Sequence, residues 1–268
     1  MSYVANNFDN LPNELNDDLS ETMDKLAKVA SHLSYLISIG SLSSENLNKQ
    51  TAVNSDGDEQ KALDVYADES YLNEFKNSQV RLYASEEQEE VIDLGGNGSI
   101  ALAIDPLDGS SNIDTNVSIG SIFSIRCLPK GISLNDKKND IFLAAGSEQI
   151  ASGYVIFGPQ TMFMVTFGNG VKSYILDRQK NIFVDSKQEI SIPADTREYA
   201  VNASNARHWE KRMKNYIDDS IAGKSGPRGI DFNMRWVASL VAETHRILSR
   251  ATHSNDGVYG KANKRDIV

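Results

Sequence analysis

Two short acidic runs hold the side chains best suited to chemistry. One is Asp105-Pro106-Leu107-Asp108-Gly109-Ser110-Ser111-Asn112, and the other is Glu86-Glu87. The apolar run Ile100-Ala101-Leu102-Ala103-Ile104 before the first reads as a buried strand. Pro106 has no N–H for a sheet ladder, so the strand is expected to end there. A second strand-like segment, Val80-Arg81-Leu82-Tyr83-Ala84, leads into Glu86-Glu87. Both acidic runs therefore stand at carboxyl ends of strands, where open α/β sheets place their ligands. Like charges brought together there repel unless a cation joins them, and hard carboxylate oxygens suit magnesium or manganese. Gly109, followed by two hydroxyl residues, supplies backbone N–H groups that could form a nest for phosphate. Asp-Gly alone would mean only a turn, and Glu-Glu alone a solvated surface. Together the runs are longer than a turn requires.

The elements that must position these groups follow from periodicity. Asn16 with Asp17-Asp18 reads as a helix start. Leu19, Met23, Leu26, Val29, Ala30, Leu33, Leu36 and Ile37 then recur at helical spacing, as far as Gly40. Ser41 to Asp58 reads as a loop. A second helix is expected from Glu59 to Lys76, with Leu63, Ala67, Tyr71 and Phe75 on its core face. Asp64 lies beside that face and Asp58 just before the helix, so both could reach the acidic runs. Strands are expected over residues 80–84, 100–105, 119–128, 152–157, 162–167, 171–176 and 182–184, a largely antiparallel meander. Further on come a short strand at 199–202, a helix at 207–217 and a long helix at 230–249. That last helix places Met234, Val237, Ala238, Val241, His245 and Leu248 on one side, with His245 a core histidine.

The chain has 268 residues, of which 40% are hydrophobic and 24% charged, and a net charge of −10. This is a water-soluble composition of one large or two ordinary domains. The charge argues against nucleic acid and anionic membranes as partners, and a bound cation would still permit an anionic small substrate. The single cysteine, Cys127, rules out an internal disulfide and is expected as a buried or half-buried strand thiol. No apolar run reaches membrane-spanning length, and the polar, acidic start lacks a secretory signal, so a cytoplasmic location is expected.

Taken together, Asp105 to Asp114 (DPLDGSSNID), Ser85-Glu86-Glu87 and Gly57 to Val65 (GDEQKALDV) resemble class I fructose-1,6-bisphosphatase. Val117 to Phe123, Ala144-Ala145-Gly146 and Arg235 to Glu243 extend the resemblance, which covers roughly Leu19 to Arg250. The related inositol monophosphatases usually carry Asp-Pro-Ile-Asp-Gly-Thr at this turn, and the Ser-Ser-Asn-Ile-Asp continuation favours the sugar bisphosphatase. The resemblance implies an α/β layered sandwich of two domains, here 1–188 and a partial 189–268. It also implies Mg²⁺-dependent (or Mn²⁺-dependent) hydrolysis of the 1-phosphate of fructose 1,6-bisphosphate, and a homotetramer. Residue by residue, Glu86, Asp105, Asp108 and the carbonyl of Leu107 match metal ligands. Glu87 matches a position near the metals and the attacking water, Asp64 an activator of that water, and Asp58 an acid on a loop that closes over the site. Gly109, Ser110 and Ser111 match a 1-phosphate cradle. Asn202, Arg235 and Leu240 match substrate-side positions, Arg235 reaching a neighbouring subunit's 6-phosphate.

After Arg250 the family continues with Gly-Gly, a strand, a lysine and a Tyr-Glu segment that this sequence lacks. The tail Ala251 to Val268 is therefore expected to fall outside the resemblance, as in a truncated or frame-shifted chain. Ser99-Ile100 stand where AMP-inhibited members carry Lys-Tyr, so AMP inhibition is not expected. Two other readings are a sedoheptulose-bisphosphatase or inositol-phosphatase activity, and an inactive chain that binds metal or pairs with intact subunits.

Overall fold

The structure is a computed structural model, which describes Tyr3 and residues 16–40, 58–128 and 138–251; for residues 58–61 and 251 it describes the backbone alone. Of the loop expected over 41–58, residues 41–57 lie outside the described residues, as does the tail beyond 251, while Asp58 belongs to a helix. The chain divides into two compact units, Met1–Glu189 and Ile190–Val268.

The first unit opens with helix α1 (Asn16–Ile39), whose apolar stripe is buried as its spacing requires. Helix α2 (Asp58–Phe75) follows, then strands β1 (Val80–Ser85), β2 (Ile92–Asp93), β3 (Ile100–Asp108) and β4 (Ile119–Cys127). A short helix α3 (Lys138–Leu143) precedes β5 (Gln149–Phe157), β6 (Thr161–Thr166), β7 (Val171–Asp177) and β8 (Ile182–Asp185). These form one sheet of 8 strands in the order β2-β1-β3-β4-β5-β6-β7-β8. From β3 to β8 it is the expected antiparallel meander, while β1 and β3 run parallel.

The core lies between the helices and one face of this sheet. Ile100, Leu102 and Ile104 alternate into it from β3, and Leu26, Ala30 and Leu33 of α1 and Ala67, Tyr71 and Phe75 of α2 meet them. Phe163 anchors the far end, with ring centroids 5.6 Å from both Phe123 and Phe183. Ala101, Leu82 and Leu128 face the other way, where Ile141 and Phe142 of α3 cover them. Gly153 of β5 is required by close approach, because an added Cβ would stand 2.2 Å from the Met164 carbonyl and 2.8 Å from the Phe123 ring.

Three sequence expectations are corrected here. β3 does not stop at Pro106 but runs through it to Asp108, by way of a bulge. Cys127 is exposed, not buried, because it ends β4, and the buried position beside it is taken by Arg126. The guanidinium of Arg126 donates to the carbonyls of Ala144 (2.8 Å) and Ala145 (3.0 Å), which satisfies it without solvent.

The third correction falls in the second unit. Its described elements are β9 (Glu198–Tyr199), a short turn at Ala203–His208, helix α4 (Lys211–Ile221), β10 (Asn233–Met234) and helix α5 (Leu240–Ala251). The expected helix at 230–249 therefore begins ten residues late. β10 pairs in parallel with β9, and Ala238 has φ 63°, which no helix accommodates. Ser239 starts α5: its hydroxyl accepts from the Ala242 N–H (3.3 Å) and its carbonyl from the Glu243 N–H (3.1 Å). His245 is half-buried against Ser249, 3.2 Å from its hydroxyl, and burial lowers its pKa. Among the described residues no helix is long and apolar enough to cross a membrane.

Candidate active site

The parallel register of β1 and β3 brings the two acidic runs together. Its last pair is Ser85 with Ile104, and the Glu86 N–H continues the ladder to the Ile104 carbonyl at 3.1 Å. Glu86 thus leaves β1 alongside Asp105 of β3. The chain then turns at once: the Gln88 N–H donates to the Ser85 carbonyl and the Glu87 N–H to the Ser85 hydroxyl, both at 3.2 Å. Glu86 and Glu87 occupy the middle of that turn and are exposed.

The second run is shaped by the bulge. Asp105 faces Ile122 and Asp108 faces Gly120, so three steps on β3 match two on β4. Pro106 sits within the bulge, where a missing N–H leaves no ladder bond broken. Its carbonyl accepts from the buried Ser121 hydroxyl (2.8 Å), which in turn accepts from the Tyr71 hydroxyl (3.0 Å). The Leu107 N–H donates to Asp105 Oδ1 at 3.0 Å, fixing that carboxylate across the bulge. Gly109 then adopts φ 77°, the left-handed conformation that glycine reaches without strain, and opens a 3₁₀ turn over Ser110–Asn112. The turn closes through the N–H groups of Asn112 and Ile113. The N–H groups of its first residues have no partner within it, as a phosphate cradle needs.

Helix α2 supplies the third side. Asp64, Asp68 and Tyr71 lie along one face at spacings of four and three. Burial raises the Asp64 carboxyl to about 6, the Ser110 hydroxyl beside it opposes the rise, and Glu87 and Glu86 add to it. Burial likewise raises Asp105 to about 7, the Leu107 N–H opposes this, and the charges of Asp108, Glu86 and Glu87 push the same way as burial. Asp64, Glu86, Glu87, Asp105 and Asp108 thus feel one another. Asp58 begins α2, and its side chain lies outside the described residues.

A divalent cation fits these donors in kind. Asp64 Oδ1 is buried with no hydrogen-bond partner, an oxygen that a cation would satisfy. The strongest charges on Asp64 and Asp105 are negative, and all the donors are hard oxygens. As placed, no three Asp, Glu, His or Cys side chains among the described residues stand close enough to close on one ion. Like charges without a counter-ion hold apart, so the donors share an edge but are not drawn in.

Asn202, Arg235 and Leu240 lie in the second unit. Asn202 Oδ1 accepts from the Ser204 N–H at 3.1 Å and caps the turn Ala203–His208. Arg235 Nε lies 3.5 Å from Glu198 Oε1, and its own N–H donates to the Tyr199 carbonyl at 2.9 Å. Leu240, the first residue of α5, is 65% exposed. Sequence reasoning misses the residues that brace the acids. It places Tyr71 in the core alone and singles out none of Asp68, Gln88 and Ser121, nor Tyr83 beyond its strand. The only signal is Asp68 four residues after Asp64 on the same helix.

Comparison with known proteins agrees with this geometry. Residues 6–188 match the family model of the fructose-1-6-bisphosphatase N-terminal domain, and residues 192–266 that of the C-terminal domain. The second match runs past Arg250, where the resemblance was expected to end, and takes in most of the tail. The chain is 50% identical over 239 residues to a fructose-1,6-bisphosphatase class 1 of Cereibacter sphaeroides, covering 89% of this chain and 70% of that one. It is 50% identical over 236 residues to the Rhodobacter capsulatus enzyme of the same name, covering 88% and 69%. The holo crystal structure of Leishmania major fructose-1,6-bisphosphatase superposes with a TM-score of 0.76 at 28% identity, covering 88% of this chain and 72% of that chain. The chain belongs to the fructose-1,6-bisphosphatase family.

Proposed function

We propose that the protein hydrolyses the 1-phosphate of fructose 1,6-bisphosphate to give fructose 6-phosphate and inorganic phosphate. The observation that carries this is the meeting of Glu86-Glu87 with the Asp105–Asp108 bulge at adjacent parallel strand ends, beside the Gly109 turn. Family membership names the substrate.

Each group has a part. The N–H groups at Gly109, Ser110 and Ser111 receive the 1-phosphate oxygens. Glu86, Asp105, Asp108 and the Leu107 carbonyl would hold magnesium, with manganese as the substitute. Such an ion neutralises phosphate charge and acidifies bound water. Asp64, a carboxyl raised to about 6, and Glu87 take the proton of the attacking water. Water oxygen bonds to phosphorus, the bond from phosphorus to the sugar oxygen breaks, and that oxygen leaves as a hydroxyl. Asp58, at the start of α2, closes over the bound substrate. Asn202 and Leu240 match the family's substrate-side positions, and Arg235 matches the position that offers its two-pronged donors to the 6-phosphate of a neighbouring subunit in a homotetramer. A cytoplasmic location and indifference to AMP complete the reading.

The test is phosphate release at neutral pH from fructose 1,6-bisphosphate, sedoheptulose 1,7-bisphosphate and inositol 1-phosphate, with Mg²⁺ or EDTA. Fastest release from the fructose ester, abolished by EDTA, is expected. Faster release from either alternative, or EDTA-resistant turnover, would overturn the reading.

A further inference from the structure

Asp68 is 2% exposed, a buried carboxyl that the proposed chemistry does not use. Burying a charge is costly unless its lone pairs are satisfied. Two neutral donors satisfy this one. The Tyr83 hydroxyl donates to Oδ1 at 2.8 Å, and the Gln88 side-chain amide donates to Oδ2. Burial keeps the Tyr83 hydroxyl protonated, so its donor role is firm. The bonds join α2 to the body of β1 and to the turn just after it.

That turn is the one carrying Glu86 and Glu87. At its start the Glu86 N–H is tied to β3. At its end Gln88 is tied to α2 through Asp68. Asp64, one helical turn before Asp68, feels the charges of Glu86 and Glu87. Repulsion acts to swing the turn away from α2, and the Asp68–Gln88 bond is a side-chain contact that opposes it. We infer that Asp68 is a positioning residue which, through Gln88, holds the Ser85–Gln88 turn against α2 and thereby sets Glu86 and Glu87 relative to Asp64 for a divalent cation. The inference rests on the proposed metal-dependent phosphatase reading.

Three variants test it: Gln88→Leu, Gln88→Glu and the double variant Asp68→Asn/Gln88→Glu. Gln88 is exposed, so its substitutions leave the core intact. Gln88→Glu sets two carboxylates against each other. The double variant restores the bond with donor and acceptor exchanged, and the amide oxygen introduced by Asp68→Asn can still accept from Tyr83. The measurement is Mn²⁺ binding to EDTA-treated, dialysed full-length protein, followed by the free-ion paramagnetic resonance signal, beside Mg²⁺-dependent phosphate release and the melting midpoint. Both single variants should weaken Mn²⁺ binding about tenfold or more, the range for residues that orient metal ligands, while remaining cooperatively folded in EDTA at a lowered melting midpoint that the double variant restores. The fall in Gln88→Glu is diagnostic, since an added negative charge would by itself attract the cation. The double variant should recover most of the affinity. Parent-like binding in the single variants, or no recovery in the double variant, overturns the positioning role alone. A parent that neither binds Mn²⁺ nor releases phosphate overturns the phosphatase reading and the inference with it.

Discussion

Replacing Asp105 with asparagine should stabilise the metal-free protein while destroying its activity. In the absence of a cation the Asp105 carboxyl titrates near 7, chiefly through burial, with Asp108, Glu86 and Glu87 adding to the rise. Its value before folding is 3.8. Between those values the folded state holds a proton that the unfolded chain has released. Stability of the apo protein therefore falls as pH rises from roughly 4 to 7 and levels off above that. A pKa difference of one is worth about 1.4 kcal/mol, so full conversion would give about 4 kcal/mol. The carboxyl is partly open to water, and screening reduces this to about 2 kcal/mol. The amide introduced by Asp105→Asn has no charge to repel, and its oxygen can still accept from the Leu107 N–H as the carboxylate does. At pH 8 in EDTA the variant should melt roughly 4–8 °C above the parent, taking about 2–4 °C per kcal/mol for a chain of this size. At pH 5 the gap should shrink to roughly a third, because the unfolded chain has already released its proton there, and it should vanish only below about pH 4. Saturating Mg²⁺ should lift the parent by about 2.7 kcal/mol at a hundredfold excess over its dissociation constant and lift the variant far less. Circular-dichroism melts at pH 5 and 8, with EDTA or Mg²⁺, measure all of this. A variant that melts below the parent at pH 8 in EDTA, or gains equally from Mg²⁺, would refute the reasoning.

Other consequences concern the scaffold and the second unit. Gly153→Ala forces a Cβ to within 2.2 Å of the Met164 carbonyl, and the backbone cannot yield there. A loss of about 3 kcal/mol or more is expected, read as a lowered denaturant midpoint or insoluble expression. Ser239→Ala removes the hydroxyl that accepts from Ala242 at the start of α5. It should cost about 1 kcal/mol in urea unfolding, whereas no loss is expected if a helix ran through from residue 230. Arg235→Lys should raise KM for fructose 1,6-bisphosphate by about tenfold with kcat little changed, because a point charge replaces a two-pronged donor. A fall in kcat with unchanged KM would move Arg235 from binding into the chemical step.

What the sequence discloses and what it hides divide along physical lines. A continuous apolar run such as Ile100–Ile104 is buried on both faces of the sheet, so the strand can be read locally. The stripe of α1 is legible locally as well. The pairing partner of a strand is not a local property. Pro106 reads as a strand end until β4 is known to accommodate a bulge opposite it. Met234, Val237 and Ala238 fall at helical spacing with Val241, yet Asn233-Met234 satisfies its backbone on β9 and Ala238 turns left-handed. Tertiary pairing there overrides an apolar pattern that is present in the sequence. The placement of Glu86 and Asp105 is legible because carboxylates at strand ends are conspicuous. Asp68 and Gln88, twenty residues apart in sequence, show their connection only once α2 lies across the end of β1.

The arrangement raises an energetic question that a ligand inventory misses: what keeps like charges together before a cation arrives. Adjacent strands lie roughly 5 Å apart, so side chains at neighbouring strand ends can sit about 6 Å apart. At an effective dielectric constant near 20, each such pair of charges repels by about 3 kcal/mol. Burial, with the neighbouring charges adding to it, raises Asp64 to about 6 and Asp105 to about 7, so protonation relieves part of this repulsion in the metal-free protein. The remainder falls on the backbone that presents the acids. Backbone ladders hold Glu86 and Asp105, and the Ser121–Tyr71 chain holds the bulge. The Asp68–Gln88 bond holds the turn. All of these braces end on α2 or β3, both packed through Tyr71, Phe75, Ile100 and Leu102 into the main core. A hydrogen bond contributes about 1 kcal/mol net, less than one repelling pair costs, so no single brace can hold the site alone. The burial of α2 against the sheet must carry the rest. Weakening that packing should therefore reduce cation affinity even where no ligand is touched.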